Sequence, residues 1–141
     1  MTKENIFTMD TSGIKFGNGC TEEVGYEAKR FGIRKALVIT DKKIEKLGLF
    51  QTVKESLGRY GVDFSVYNDV VTEPTDTSFK NASSFASDGD YDGFIAVGGG
   101  SVMDTTKAAN LYSTYPADFL DYMNAPVGKG IPIPGPLKPL I

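Results

Sequence analysis

Short apolar runs alternate with amphipathic stretches along this chain, and that alternation narrows the fold more than any other feature. KALVIT (35–40) is almost wholly apolar, as a strand buried on both faces must be, and FSVYN (64–68) and GFIAVGG (93–99) read the same way. Between them the apolar residues fall at helical spacing. Leu49, Val53, Leu57 and Tyr60 share one face, Phe79, Ala82, Phe85 and Ala86 another, and upstream Cys20, Val24, Ala28 and Phe31 a third. Gly32 and Gly61 follow two of these helices where a left-handed C-cap is wanted. Strands that alternate with helices pair in parallel through crossovers, so the expected fold is α/β, an open, mostly parallel sheet with flanking helices.

Two segments stand outside the alternation. Residues 6–17, IFTMDTSGIKFG, read as an extended arm or irregular hairpin turning at Thr11-Ser12-Gly13. The tail from Pro126 to Pro139 carries five of the seven prolines and is expected to cross the surface as extended backbone. It leads into Pro139-Leu140-Ile141, which resembles the opening of a further strand.

Composition sets limits on partners. A formal charge of −3 argues against a nucleic-acid partner gripped through its phosphates. The basic cluster Lys29, Arg30, Arg34 and Lys35 reads as compensation of a helix C-terminus followed by a solvated turn. The single cysteine, Cys20, forms no intrachain disulfide; it suits core packing and a reducing compartment, expected to be cytoplasmic. No signal-peptide pattern opens the chain and no apolar stretch is long enough to span a bilayer, so no membrane partner is expected.

The chemistry concentrates in AVGGGSVMDTTKAANLY (96–112). Gly98, Gly99 and Gly100 stand at the carboxyl edge of one strand, and Ser101 begins the next helix. Ligands of open α/β sheets bind at that edge. Free N–H groups and the positive end of a helix dipole attract an anion, and glycine lets it approach without meeting a Cβ. The alternative is a tight turn with Ser101 as N-cap and Asp104 closing a capping box. Three consecutive glycines favour the diphosphate cradle, since a capping box needs none. The usual G-x-G-x-x-G fingerprint is not met, because Met103 stands where the third glycine would be. A kinase-like Gly-Gly-Asp-Gly ending is absent too, Gly100 occupying the acidic place. Asp41 follows LVIT at the same edge of the sheet; it serves equally as acceptor for the hydroxyls of an adenosine ribose or as N-cap for KKIEKLG.

Together these residues resemble the iron-containing, group III alcohol dehydrogenases. GGGSVMDTTKAA matches that family's GGGS-x-x-D signature at Gly98, Gly99, Gly100, Ser101, Asp104 and Lys107, and Asp41 in LVITD matches its ribose-binding acid. EPTDTSF (73–79), MDTTKAANLY (103–112), DFLDYMNAP (118–126) and PLKPLI (136–141) are similar to one branch, the hydroxyacid–oxoacid transhydrogenases. The resemblance spans essentially the whole chain; the triple glycine by itself is shared with glycerol dehydrogenases and dehydroquinate synthases. Where many members carry Asn-Pro near the adenine, this chain has Glu73-Pro74.

The resemblance implies a Rossmann-like, N-terminal dinucleotide-binding domain over residues 1–141, incomplete and truncated before the family's helical metal-binding domain. NAD is the implied cofactor, ahead of NADP. Gly98 to Ser101 would bind its pyrophosphate, Asp41 its adenosine ribose, and Asp104 would lie toward the nicotinamide. Iron or zinc would belong to the full-length parent, a homo-oligomer acting on a small alcohol or hydroxyacid. The family's metal is held by an aspartate and several histidines, and this sequence has no histidine. The chain by itself is therefore expected to be inactive and to bind dinucleotide weakly at best, with no catalytic or metal-ligating residue of its own. The competing expectation is a free-standing nucleotide-binding module without catalysis.

Overall fold

The computed structural model describes residues 12–141. A 310 turn (Cys20–Glu23) leads into α1 (Val24–Arg30), followed by β1 (Lys35–Ile39), a 310 turn (Ile44–Lys46) and α2 (Gly48–Arg59). Then come β2 (Asp63–Tyr67), α3 (Asp76–Ser87), β3 (Gly93–Ala96) and α4 (Gly100–Thr114). All three strands are parallel in the order β2-β1-β3, with Lys35 opposite Asp63 and Ala36 opposite Gly93. The strands form where the apolar runs place them.

The central strand shows why its sequence is apolar throughout. Ala36 and Val38 point into one core with Ala28 of α1 and Phe50, Val53 and Leu57 of α2. Leu37 and Ile39 point into a second core with Ala82 and Ala86 of α3 and Val102 and Ala109 of α4. A period of two thus serves two layers, α1–α2 on one face of the sheet and α3–α4 on the other. Gly32 and Gly61 have φ of 77° and 65°. Each closes its helix with a pair of bonds: Gly32 N to Lys29 O and Ile33 N to Ala28 O, then Gly61 N to Gly58 O and Val62 N to Leu57 O. This is the glycine-terminated double bond expected at those positions.

The stripes hold at Ala28, Val53, Leu57, Ala82 and Ala86 and depart at other positions. In α2, Val53 and Leu57 are buried, but Phe50 takes the core place expected for Leu49, and Leu49 and Tyr60 are exposed. In α3 Phe85 is partly exposed and leans on Tyr67, their rings 5.3 Å apart. Cys20 is half-buried in the 310 turn, and Phe31 is exposed. The arm expected over 6–17, with its turn at Thr11-Ser12-Gly13, lies partly outside the described residues; residues 12–16 are irregular and exposed.

The open edge of β3 carries the last residues. Phe94 N donates to Pro139 O at 2.9 Å, Ile141 N to Phe94 O at 3.0 Å and Ala96 N to Ile141 O at 2.8 Å, in parallel register. Pro139-Leu140-Ile141 therefore pairs as a strand does. The proline-rich tail before it is irregular, and Asn110 Nδ2 ties it to α4 through Lys138 O at 2.8 Å. At the other end of the sheet, Asp92 Oδ1 accepts from the N–H groups of Arg34 (2.9 Å) and Lys35 (2.8 Å), joining the entries of β3 and β1. Burial alone would raise the Asp92 pKa, but donors from Lys35 and Arg34 outweigh it and hold the carboxyl below its ordinary value.

Candidate functional site

The chain runs from β1 through α2 to β2 on one face of the sheet, then returns through α3 over β1 to β3 on the other. The two connections part between β1 and β3, and a crevice opens at the carboxyl ends of those strands. In open α/β sheets this is where ligands sit.

Asp41 leaves β1 at this point, and Gly98 to Gly100 leave β3. A cleft of about 150 Å3 is lined by Asp41, Gly99, Gly100, Ser101 and Val102, with Val70, Val71 and Thr72 from the segment after β2. Thr40 holds the two strand ends together. Its buried hydroxyl donates to Val97 O at 2.7 Å, while Val97 N donates to Ile39 O at 2.9 Å. The sequence reading missed Thr40; the available signal was a hydroxyl closing an otherwise apolar run.

The three glycines do different things. A Cβ on Gly98 would lie 2.5 Å from Val102 Cγ2 and 2.9 Å from Val102 Cβ, so this glycine allows α4 to pack against the end of β3. A Cβ on Gly99 or Gly100 would meet nothing within 4 Å. Gly99 has φ −89° and ψ −163°, extended backbone open to any residue. Nothing within the fold requires glycine at 99 or 100. Among the described residues, the N–H groups of Gly99, Gly100, Ser101 and Val102 have no acceptor. These donors stand at the N-terminus of a helix of 15 residues, whose dipole favours negative charge there. A group with several anionic oxygens fits this turn, because bare backbone leaves room for it and the donors await acceptors.

The capping box proposed for Ser101 and Asp104 is not built. Gly99 is the N-cap residue and no side chain caps the helix. Ser101 Oγ instead accepts from Glu73 N at 3.4 Å, tying the loop after β2 to α4. Glu73 sits at φ 55°, a left-handed conformation that non-glycine residues hold only where their surroundings impose it. Asp104 is not brought into the cleft; its side chain is exposed and lies 3.6 Å from Lys107 Nζ.

Lys43, not Asp41, is the N-cap residue of the following 310 turn, but the Asp41 side chain serves donors entering it. Oδ1 accepts from Lys43 N at 2.8 Å and Ile44 N at 2.9 Å, starting the 310 turn. Among the described residues Oδ2 has no donor, so one carboxylate oxygen remains for a ligand hydroxyl. The Asp41 backbone bridges to Asp69 beyond β2, and Lys42 Nζ lies 2.5 Å from Asp69 Oδ1. That hydrogen bond raises the Lys42 pKa above its ordinary value.

A larger cavity, about 550 Å3, opens on the α1–α2 side beside Leu140 and Ile141. Gly98 touches it, but Asp41, Gly99 and Gly100 do not. Among the described residues no three His, Cys, Asp or Glu side chains converge so as to hold a metal ion, and no helix is long and apolar enough to cross a membrane.

Comparison with known proteins gives relatives in sequence and in fold. A mitochondrial hydroxyacid-oxoacid transhydrogenase of Bos taurus is 52% identical over 99% of this chain and 30% of its own length. A probable mitochondrial hydroxyacid-oxoacid transhydrogenase of Dictyostelium discoideum is 50% identical over 96% of this chain and 26% of its own. Among solved structures, the NADH-dependent butanol dehydrogenase A of Thermotoga maritima superposes with a TM-score of 0.86 and 28% identity, over 97% of this chain and 33% of that one. The chain thus spans about a third or less of the proteins it matches. The expected cytoplasmic setting is overturned, because these close relatives are named as mitochondrial. A lone cysteine argues against an oxidising compartment; it does not tell one thiol-reducing compartment from another. The family model for iron-containing alcohol dehydrogenases matches residues 11–141, and the chain belongs to that family.

Proposed function

We propose that this chain forms the dinucleotide-binding part of a hydroxyacid-oxoacid transhydrogenase or related alcohol dehydrogenase, with NAD as its cofactor. One observation carries the reading: the N–H groups of Gly99–Val102, without an acceptor among the described residues, line one cleft with Asp41 at the crevice between β1 and β3. The N–H groups would accept the pyrophosphate, supported by the α4 dipole. Asp41 Oδ2 would accept from a ribose hydroxyl, and its charge would repel a 2′-phosphate, favouring NAD over NADP. The names of the relatives support the reaction class, in which a hydride leaves a carbinol carbon for the nicotinamide as the hydroxyl proton is released.

The residues present do not fit the family's metal. The sequence has no imidazole, and the described carboxylates and thiol do not cluster. This chain's contribution is therefore to hold and orient the dinucleotide. The test is an NMR titration of the chain with NAD and ADP-ribose. Saturable one-to-one binding in the millimolar range, with the two ligands competing, is expected. No saturable binding of either would overturn the proposal.

A further inference from the structure

An exposed ion pair, Lys42 with Asp69, stands beside the cleft. Lys42 directly follows Asp41, and Asp69 is its partner across the bridge that joins the loops after β1 and β2. Both side chains are largely exposed, at 68% and 64%. An exposed pair of this kind adds little to stability.

We infer that Asp69 helps decide which dinucleotide the cleft accepts, by engaging Lys42 and so withholding that cation from a 2′-phosphate. The inference rests on the reading of the cleft as a dinucleotide site. A basic side chain next to the ribose-binding position is what accommodates the 2′-phosphate of NADP. Lys42 occupies that place in sequence, but its ammonium is held by Asp69 Oδ1. Glu45, fixed by Asn68 Nδ2 at 2.8 Å, adds a second carboxylate near the lysine. A 2′-phosphate entering here would meet Asp41, while the neighbouring cation that could offset it is already engaged by Asp69. Asp41 excludes NADP by charge; Asp69 does so by occupying Lys42.

The test uses the chain and five variants: Asp41→Asn, Asp69→Asn, the two combined, that pair with Lys42→Ala, and Asp41→Asn with Asp69→Ser. Affinities for NAD and NADP are read by NMR titration. Adding Asp69→Asn to Asp41→Asn is expected to tighten NADP binding at least threefold while changing NAD binding less than twofold. Lys42→Ala is expected to abolish that gain. Asp69→Ser in the same background should act as Asp69→Asn does, separating loss of charge from any effect of the amide. NADP affinity that ignores Asp69, or a gain that survives Lys42→Ala, overturns the inference while leaving NAD binding intact. If the unmodified chain binds neither dinucleotide, the reading of the cleft itself fails.

Discussion

Alanine at Gly98 and side chains at Gly99 and Gly100 should separate stability from binding, because the three positions meet different surroundings. At Gly98 the new Cβ would stand 2.5 Å from Val102 Cγ2 and 2.9 Å from Val102 Cβ, distances that force backbone or helix to move. Overpacking of this kind costs about 1–3 kcal/mol. At Gly99 the extended backbone suits a β-branched residue and no atom lies within 4 Å, so Gly99→Val should change stability by no more than about 0.5 kcal/mol. At Gly100, in the first turn of α4, alanine should gain about 0.4–1 kcal/mol by restricting the unfolded chain. Binding should rank differently. Gly99→Val places two methyl groups where the diphosphate would lie, and NAD affinity should fall at least tenfold, about 1.4 kcal/mol. Urea unfolding gives the stability series and NMR titration the affinities. If Gly99→Val unfolds the chain as readily as Gly98→Ala does, or leaves NAD affinity unchanged, the argument that empty space at Gly99 belongs to a ligand is wrong.

Three further outcomes follow from single contacts. Asp41→Asn keeps an acceptor for Lys43 N and Ile44 N, so the 310 turn should persist while part of the NAD-over-NADP preference is lost; equal NAD and NADP affinity in the unmodified chain would reduce Asp41 to a cap. Thr40→Val leaves Val97 O without its donor inside the core and should cost about 1–3 kcal/mol, whereas Thr40→Ser, retaining the hydroxyl, should lose clearly less; equal losses would refute the role given to the hydroxyl. Asp92, whose folded pKa is lowered, should contribute stability that is fully present above the unfolded carboxylate value of about 3.9 and lost as pH falls through its folded value. Urea unfolding between pH 6 and the acid limit should then show a shallower acid decline in Asp92→Asn, and an unchanged slope would contradict the assignment.

What the sequence made legible follows from how strongly each residue is constrained. The strands could be read because β1 is buried on both faces, which leaves only apolar residues from Ala36 to Ile39. Gly32 and Gly61 could be read as caps because their positive φ excludes most alternatives. The first position of the α2 stripe slipped by one residue, since Leu49 and Phe50 are both apolar and tertiary packing selects Phe50, while Val53 and Leu57 are buried as expected. The glycine turn and Asp41 could be placed at one edge of the sheet from their positions after apolar runs; their meeting in one cleft depends on the order β2-β1-β3, which no local pattern encodes. Ser101 and Asp104 have capping-box spacing, yet the N-cap is Gly99, two residues before Ser101, and Ser101 turns to Glu73 instead. Thr40 escaped notice because threonine is an ordinary strand residue until its hydroxyl is found against Val97 O.

The claim that the crevice between β1 and β3 holds a diphosphate is tested most directly by following backbone amide resonances as NAD is added. The account predicts that the N–H signals of Gly99, Gly100, Ser101 and Val102 shift first and furthest, with Asp41 and its neighbours Lys43 and Ile44 following along the same saturation curve. Shifts centred instead on the larger cavity lined by Val24, Phe31, Leu140 and Ile141, with the Gly99–Val102 amides unmoved, would contradict it.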